Sequence, residues 1–158
     1  MIKTEEELIP PIFIGSDIMK IMVCYVDGSW KPSYPDRVGG AAIIVNDNDT
    51  TEELMFYRDN KELAKIRNVA GELISAMEIV RIAVDRGYNK IQIFYDYEGI
   101  KKWYDSSWKC KNQYTKAYKE YMHKMNKYID IEFVKCNAHT GDYYNELADY
   151  FAKKSLEL

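Results

Sequence analysis

Four acidic residues stand where a folded chain could gather them at one place. They are Asp27, Glu72, Asp96 and Asp149. Taken singly, each has a structural explanation, since acids at strand ends usually serve turns and acids in a helix's first turn complement the helix dipole. Together they would supply hard oxygen ligands, which suit Mg²⁺ or Mn²⁺. A divalent-metal centre is therefore the chemistry to compare with the rest of the sequence.

The positions of Asp27 and Asp96 indicate that these two acids meet. Each ends an apolar, β-branched run, and adjacent strands that end at the same edge of a sheet would place both carboxylates side by side. Carboxylates at such a short separation raise each other's pKa, and they oppose folding unless a cation neutralises them. Asn145 lies one helical turn before Asp149, so both side chains can point toward the same centre.

The strands that must position these acids are visible as apolar runs bounded by turn residues. The pattern predicts five of them, at 21–28, within 40–49, at 51–58, at 90–96 and at 129–136, with a Pro/Gly-rich connection over 31–40. The short loops between the first three strands predict an antiparallel meander. The later strands follow helical segments, which indicates crossover connections.

The helices are predicted from apolar residues at intervals of three and four. One runs from Val69 to Arg86, with Glu72 in its first turn and Gly87 as its C-terminal cap. One or two helices occupy 101–127, and a last helix over 143–157 has Asp142 as its N-cap. The element order therefore predicts an α/β fold with a five-stranded mixed sheet flanked by helices.

Residues 101–127 form a basic segment in an otherwise acidic chain. They hold eight lysines against two acids, a balance of +6, which leaves −9 on the other 131 residues of a chain with a net charge of −3. Six aromatic residues are interleaved with the lysines. Such a segment suits a surface that meets phosphates with charge and nucleotides with flat rings. Composition alone supports equally well a solvated amphipathic helix with its aromatics in the core.

Length and composition indicate one domain. The chain has 158 residues, and the domain proper is expected over 20–158 with an N-terminal extension over 1–19. Cys24, Cys110 and Cys136 are odd in number and widely separated, which favours neither a disulfide framework nor a zinc site and fits the cytoplasm. The N-terminus lacks the apolar core of a secretory signal, and no apolar run is long enough to span a bilayer, so no membrane partner is expected.

Four stretches carry a resemblance to a known family. YVDGSW (25–30), RNVAGELISAMEIV (67–80), IFYDYEGIKKWYDSSWK (93–109) and FVKCNAHTGDYYNELADYFAKK (133–154) resemble the motif blocks of bacterial type 1 ribonuclease H, in order and spacing. The similarity covers about residues 20–156. It is greatest to the subgroup often fused to a viroplasmin-like hybrid-binding module, which is expected to be missing here.

The resemblance implies roles for individual residues. Asp27, Glu72, Asp96 and Asp149 match the family's four metal-binding carboxylates, and His139 matches its flexible-loop histidine, which assists proton movement or product release. Asn68 matches a residue that reaches the minor groove of the substrate, and Asn145 matches an asparagine near the nucleic-acid backbone. Ser29 is a further candidate for a minor-groove contact. The basic segment matches the family's basic helix and protrusion, with Lys101, Lys102, Trp103, Trp108, Lys109 and Lys111 as candidate substrate contacts.

What the resemblance implies for function is endonucleolytic hydrolysis of the RNA strand of RNA–DNA hybrids. Two Mg²⁺ ions per site are expected, with Mn²⁺ as a possible substitute, giving 5′-phosphate and 3′-hydroxyl ends. The expected partner is the hybrid, and the chain is expected to act as a monomer. The connection KPSYPDRVGG differs from the glycine- and asparagine-rich turn of many relatives, so other minor-groove contacts stay unassigned.

Three alternatives remain open at this level. An integrase, transposase or resolvase core also uses clustered acids and Mg²⁺, although the histidine and the fourth acid within AHTGDYYNELAD favour the ribonuclease. A catalytically silent hybrid-binding domain is a second alternative, and the four filled acid positions argue against it. A carboxylate-type hydrolase of small substrates is a third, for which the basic segment would have no purpose.

Overall fold

Five strands form one mixed sheet in the computed structural model, which describes residues 18–137 and 142–158. The strands are β1 (Ile21–Ser29), β2 (Arg37–Val45), β3 (Thr51–Asp59), β4 (Lys90–Tyr95) and β5 (Asp130–Lys135). Their order across the sheet is β3-β2-β1-β4-β5. Strands β1, β2 and β3 pair antiparallel, whereas β4 is parallel to both β1 and β5. The predicted sheet, with its meander and its crossover strands, is confirmed.

Four α-helices accompany the sheet in the part of the chain that the structure describes. They are α1 (Arg67–Asp85), α2 (Gly99–Tyr104), α3 (Gln113–Met125) and α4 (Tyr143–Ser155), and a 3₁₀ turn (Leu63–Ile66) leads into α1. Asp142 caps α4 as predicted, because its carboxylate accepts hydrogen bonds from the backbone N–H groups of Tyr144 and Asn145. Gly87 follows the end of α1 with a φ of +79°, as the C-cap prediction requires. No helix in the described ranges is both long and apolar enough to cross a membrane.

The strand alternation divides the core between the two faces of the sheet. Even-numbered residues of β1, such as Cys24 and Val26, pack with α1 and with the fully buried Tyr118 of α3. Odd-numbered residues such as Tyr25 pack against α4 through Ala148. Helix α4 therefore covers one face of the sheet, and the other helices lie on the opposite face.

Two boundary predictions were wrong, and both bear on the site. Strand β2 begins at Arg37, so Gly39 and Gly40 belong to the sheet and not to a turn. A Cβ on Gly40 would lie 2.2 Å from Ser75 Oγ and 2.5 Å from the carbonyl oxygen of Gly71, so the glycine lets α1 approach the strand closely. Glu72 is the sixth residue of α1 and not a first-turn residue, because the 3₁₀ turn brings the helix start forward to Arg67.

Candidate active site

Asp27 and Asp96 are brought together by the parallel register of β1 and β4. Tyr25 pairs with Phe94, so two further steps along each strand place Asp27 level with Asp96, just beyond the end of β4. The charge of Asp96 acts on Asp27 and raises its pKa, as expected for neighbouring carboxylates. The sequence argument for their juxtaposition is confirmed.

Glu72 reaches the same edge from α1. Its side chain is buried, and Oε2 accepts hydrogen bonds from the backbone N–H groups of Asp96 at 3.1 Å and Tyr97 at 3.3 Å. The helix can come this close because Gly28 follows Asp27: a Cβ on Gly28 would lie only 2.4 Å from the backbone nitrogen of Glu72. The carboxylate of Glu72 is therefore fixed to the chain segment that carries Asp96.

Asp149 joins the group from α4, on the other face of the sheet. Its charge acts on the carboxylate of Asp27 and raises the pKa of Asp27. Its Oδ2 also lies 2.9 Å from Nζ of Lys153, one turn further along α4. Asp149 is half-buried, so helical periodicity turns it toward the acids and not fully toward solvent.

Two of the four acids, Asp27 and Glu72, are held where ionisation is disfavoured. Burial raises the pKa of Asp27 to about 7, with further increases from Asp149 and Asp96 and an opposing hydrogen bond from the Gly28 N–H. Burial likewise raises the pKa of Glu72 to about 8, with the charge of Asp27 as the next cause. Within the described residues, no contribution from a cation is among the main influences on either pKa. A site of this kind favours a bound positive charge.

The four carboxylates are suitable ligands for a hard divalent cation, although they do not surround one position completely. Asp27, Glu72, Asp96 and Asp149 offer only carboxylate oxygens, the ligands that Mg²⁺ and Mn²⁺ prefer. Among the described residues, however, no group of three or more His, Cys, Asp or Glu side chains is arranged as a ready-made metal cage. The ligand chemistry and the electrostatic cost of gathering these acids both favour a bound divalent cation.

The other predicted site residues that the structure describes differ in their exposure to solvent. Asn145 lies in the first turn of α4 and is buried, with 8% of its surface exposed. Asn68 is exposed at the start of α1, and its carbonyl oxygen packs against Gly28. Ser29 is also only 8% exposed, so it presents little surface to a substrate. His139 lies outside the described residues. The substrate roles of these residues stay predictions.

The basic segment forms a surface beside Asp96. Tyr97, Trp103 and Trp108 contact one another, with ring centroids 5.7 to 6.0 Å apart, and Nζ of Lys102 lies 5.2 Å from the Trp108 ring centroid. A groove of about 590 Å³ is lined by Trp103, Ser107, Trp108, Lys109, Lys111, Asn112 and Thr115. Lysine charge and aromatic rings are thus combined at one surface. The core interpretation holds for Tyr118, whose hydroxyl donates to the carbonyl of Ile100 at 2.6 Å.

Sequence reasoning missed three residues near this centre. Tyr97 links the aromatic cluster to Glu72 through its backbone N–H, and the aromatic directly after Asp96 was the signal for it. Trp30 and Arg67 form a second aromatic and basic contact, with the guanidinium carbon 4.6 Å from the ring centroid. No local pattern joins Trp30 to Arg67, because the fold alone brings the end of β1 to the start of α1.

Comparison with known proteins gives a consistent result. A family model described as RNase H matches residues 19–157. A ribonuclease H from Wolbachia pipientis wMel is 27% identical over 145 residues, which cover 87% of this chain and 96% of the relative.

Solved structures share the fold. RNase H1 from the halophilic archaeon Halobacterium salinarum NRC-1 superposes with a TM-score of 0.71 at 16% identity, covering 87% of this chain and 98% of that one. LC11-RNase H1, isolated from compost and solved in complex with an RNA/DNA hybrid, gives 0.66 at 16% identity, covering 85% and 99%. The five-stranded sheet and its helices are therefore a ribonuclease H-like fold.

Proposed function

Since this chain belongs to the ribonuclease H family, we propose that it hydrolyses the RNA strand of RNA–DNA hybrids endonucleolytically, leaving 5′-phosphate and 3′-hydroxyl ends. The observation that carries the proposal is the convergence of four carboxylates from four parts of the fold. Asp27 comes from β1, Glu72 from α1, Asp96 from the end of β4 and Asp149 from α4. Burial and neighbouring charge raise the pKa values of two of these carboxylates, Asp27 and Glu72, so the cluster favours a bound cation.

The four carboxylates would hold two Mg²⁺ ions, with Mn²⁺ as a substitute. When bound, such ions lower the pKa of a water and stabilise charge on the phosphate and the leaving oxygen. The chain's own contribution is to hold the ligands still. The backbone hydrogen bonds from Asp96 and Tyr97 orient Glu72, and the sheet register orients Asp27 beside Asp96.

The substrate would lie across the carboxylates and the basic segment. Lys101, Lys102, Lys109 and Lys111 supply positive charge, and Trp103 and Trp108 supply flat apolar surface beside Asp96. Selection of RNA for cutting requires contacts to 2′-hydroxyls across the wide minor groove, for which Asn68, Asn145 and Ser29 are our candidates. We assign His139 to proton movement or product release.

A labelled hybrid tests the proposal directly. The wild type should cut the RNA strand when Mg²⁺ is present and stop when it is chelated, whereas Asp96→Asn should be nearly inactive under both conditions. Single-stranded RNA and duplex DNA of the same sequence serve as controls. Cleavage of either control at a rate comparable to that of the hybrid would favour a resolvase or integrase type of nuclease. Hybrid binding without metal-dependent cleavage would leave only a binding domain.

We also propose a subgroup, an oligomeric state and a cellular location for the protein. We propose membership of the bacterial type 1 subgroup, on the four motif blocks, and a monomeric state. A cytoplasmic location is supported by Cys24, Cys110 and Cys136, all of which are free thiols in the structure. Light scattering at working concentration and cell fractionation would check the last two assignments.

A further inference from the structure

Lys153 is a cation at the edge of the carboxylate cluster. Its Nζ lies 2.9 Å from Oδ2 of Asp149, four residues earlier on α4. Within the described ranges, this is the one ion pair that any of the four acids makes. Asp27 and Glu72 accept hydrogen bonds from backbone N–H groups, and Asp96 acts on Asp27 by charge.

The contact places the ammonium charge of Lys153 against one of the four carboxylates. Lys153 therefore partly neutralises the side of the cluster where Asp149 lies. It does so at the surface, because both side chains are about half exposed or more.

We propose that Lys153 is a resident counter-cation of the metal-free site, which a divalent ion must displace from Asp149. This inference deepens the proposed function, on whose metal site it rests, by assigning a counter-charge role to a residue outside the four ligands. Two features support it. One oxygen of Asp149 is taken by the lysine, and the described acids do not form a ready-made cage.

Lys153 and the divalent ion would therefore compete for Asp149. Because the lysine–aspartate pair is exposed, its effect on metal affinity is small. Exposed ion pairs contribute about 0.2–1 kcal/mol, so release of Lys153 costs divalent-ion binding at most about a fivefold loss of affinity. Removing the lysine should therefore tighten metal binding by about two- to fivefold. A lysine that instead held Asp149 ready for the metal would have the opposite effect on affinity.

Lys154 offers a matched control on the same helix. It carries the same charge one residue further along, but its Nζ lies 5.7 Å from the Tyr150 ring centroid, and it forms no ion pair with a described acid. Lys153→Gln and Lys154→Gln remove the same net charge, so a difference between them reports the contact with Asp149. Lys153→Arg keeps the charge and should behave like the wild type.

The experiment is a calorimetric titration of Mn²⁺ into the metal-free proteins without nucleic acid, after circular dichroism has shown that each variant is folded. We expect the Kd for Mn²⁺ to fall about two- to fivefold in Lys153→Gln and to stay within about twofold of wild type in Lys154→Gln and Lys153→Arg. Weaker binding in Lys153→Gln, or the same affinity in both glutamine variants, would overturn the inference.

Wild-type cleavage of a labelled hybrid in the same buffer separates this inference from the proposed function. If the wild type cleaves the hybrid while both glutamine variants bind Mn²⁺ equally, the inference fails alone. If Lys153→Gln binds Mn²⁺ more tightly but the wild type cleaves nothing, the counter-cation role stands and the proposed function fails. If the wild type takes up no Mn²⁺, both fail.

Discussion

In the fold, the surroundings of Asp27 favour its protonated form over its ionised form. Its pKa is raised from 3.8 to about 7, first by burial and then by Asp149 and Asp96. The folded protein therefore binds a proton at Asp27 more tightly than the unfolded chain does. The stability that the protonated form contributes is fully present below about pH 4 and is lost as the pH rises to about 7.

Asp27→Asn should therefore stabilise the metal-free protein while destroying its activity. We expect the free energy of unfolding at pH 8 to increase by about 1–3 kcal/mol, with little change near pH 4, where the aspartate is protonated and already neutral. Urea unfolding with a chelator present, at both pH values, measures this. Asp47→Asn, in an exposed loop, is the control. A variant less stable than wild type at pH 8 would contradict the electrostatic account.

His139 and Asp96 should differ in how much the reaction depends on them. His139→Ala should slow turnover by about 10- to 100-fold, within the range for a group that moves protons, while Asp96→Asn should lower it by more than about a thousandfold. Initial rates on a hybrid at saturating substrate give kcat for both variants. A larger loss in His139→Ala than in Asp96→Asn would show that we have divided these roles wrongly.

At the scale of elements, the contact between α1 and the sheet positions Glu72. A Cβ on Gly71 would lie 1.8 Å from the carbonyl oxygen of Gly39 and 2.9 Å from Cα of Gly28, so any side chain there must push the helix away. Glu72 follows directly in the chain, and its hydrogen bonds to Asp96 and Tyr97 leave it little freedom to compensate. The position of Glu72 thus depends on a backbone-to-backbone approach of α1 to the sheet.

Gly71→Ala and Gly87→Ala together separate the effect of the close contact between α1 and the sheet from the general cost of replacing a glycine. Gly71→Ala should lower the free energy of unfolding by about 2–3 kcal/mol through overpacking and should lower kcat even where the protein is folded. Gly87→Ala should cost about 1 kcal/mol, because its φ is +79° but its surroundings are open, and should leave kcat unchanged. Thermal melts and hybrid cleavage below both transitions measure the two effects. Equal kcat values in the two variants would remove the positioning argument.

Much of this arrangement follows from local sequence patterns. The β-branched runs predict the strands, and the fact that two runs end in aspartate predicts that Asp27 and Asp96 meet. Gly39 and Gly40 misled the prediction of β2, because a glycine pair next to a proline-rich connection resembles a turn. In the fold the pair serves close packing, with Gly39 facing α4 and Gly40 facing α1. The contact between Trp30 and Arg67 depends on tertiary packing, which no sequence period encodes.

At the scale of the whole molecule, the charge is divided between two regions. The net charge is −3, yet residues 101–127 carry a balance of +6. In the fold, Lys109 and Lys111 line the groove with Trp103 and Trp108, and both tryptophans contact Tyr97, the residue after Asp96. Lys124 and Lys127 are exposed at and beyond the last turn of α3, and they do not line that groove. The segment is therefore not uniform in what it offers to a nucleic acid.

This division predicts a difference in salt dependence between two double variants with the same charge. Lys109→Gln with Lys111→Gln should weaken hybrid binding and reduce the slope of log Kd against log salt by about 1–2, because each phosphate contact contributes about 0.7–0.9 to that slope. Lys124→Gln with Lys127→Gln should change the slope by less than about 0.5. Fluorescence anisotropy with a labelled hybrid, with Ca²⁺ in place of Mg²⁺ to limit cleavage, measures both across a salt series. Equal slopes in the two variants would mean that the hybrid senses the overall charge of the segment and not the groove beside Trp108.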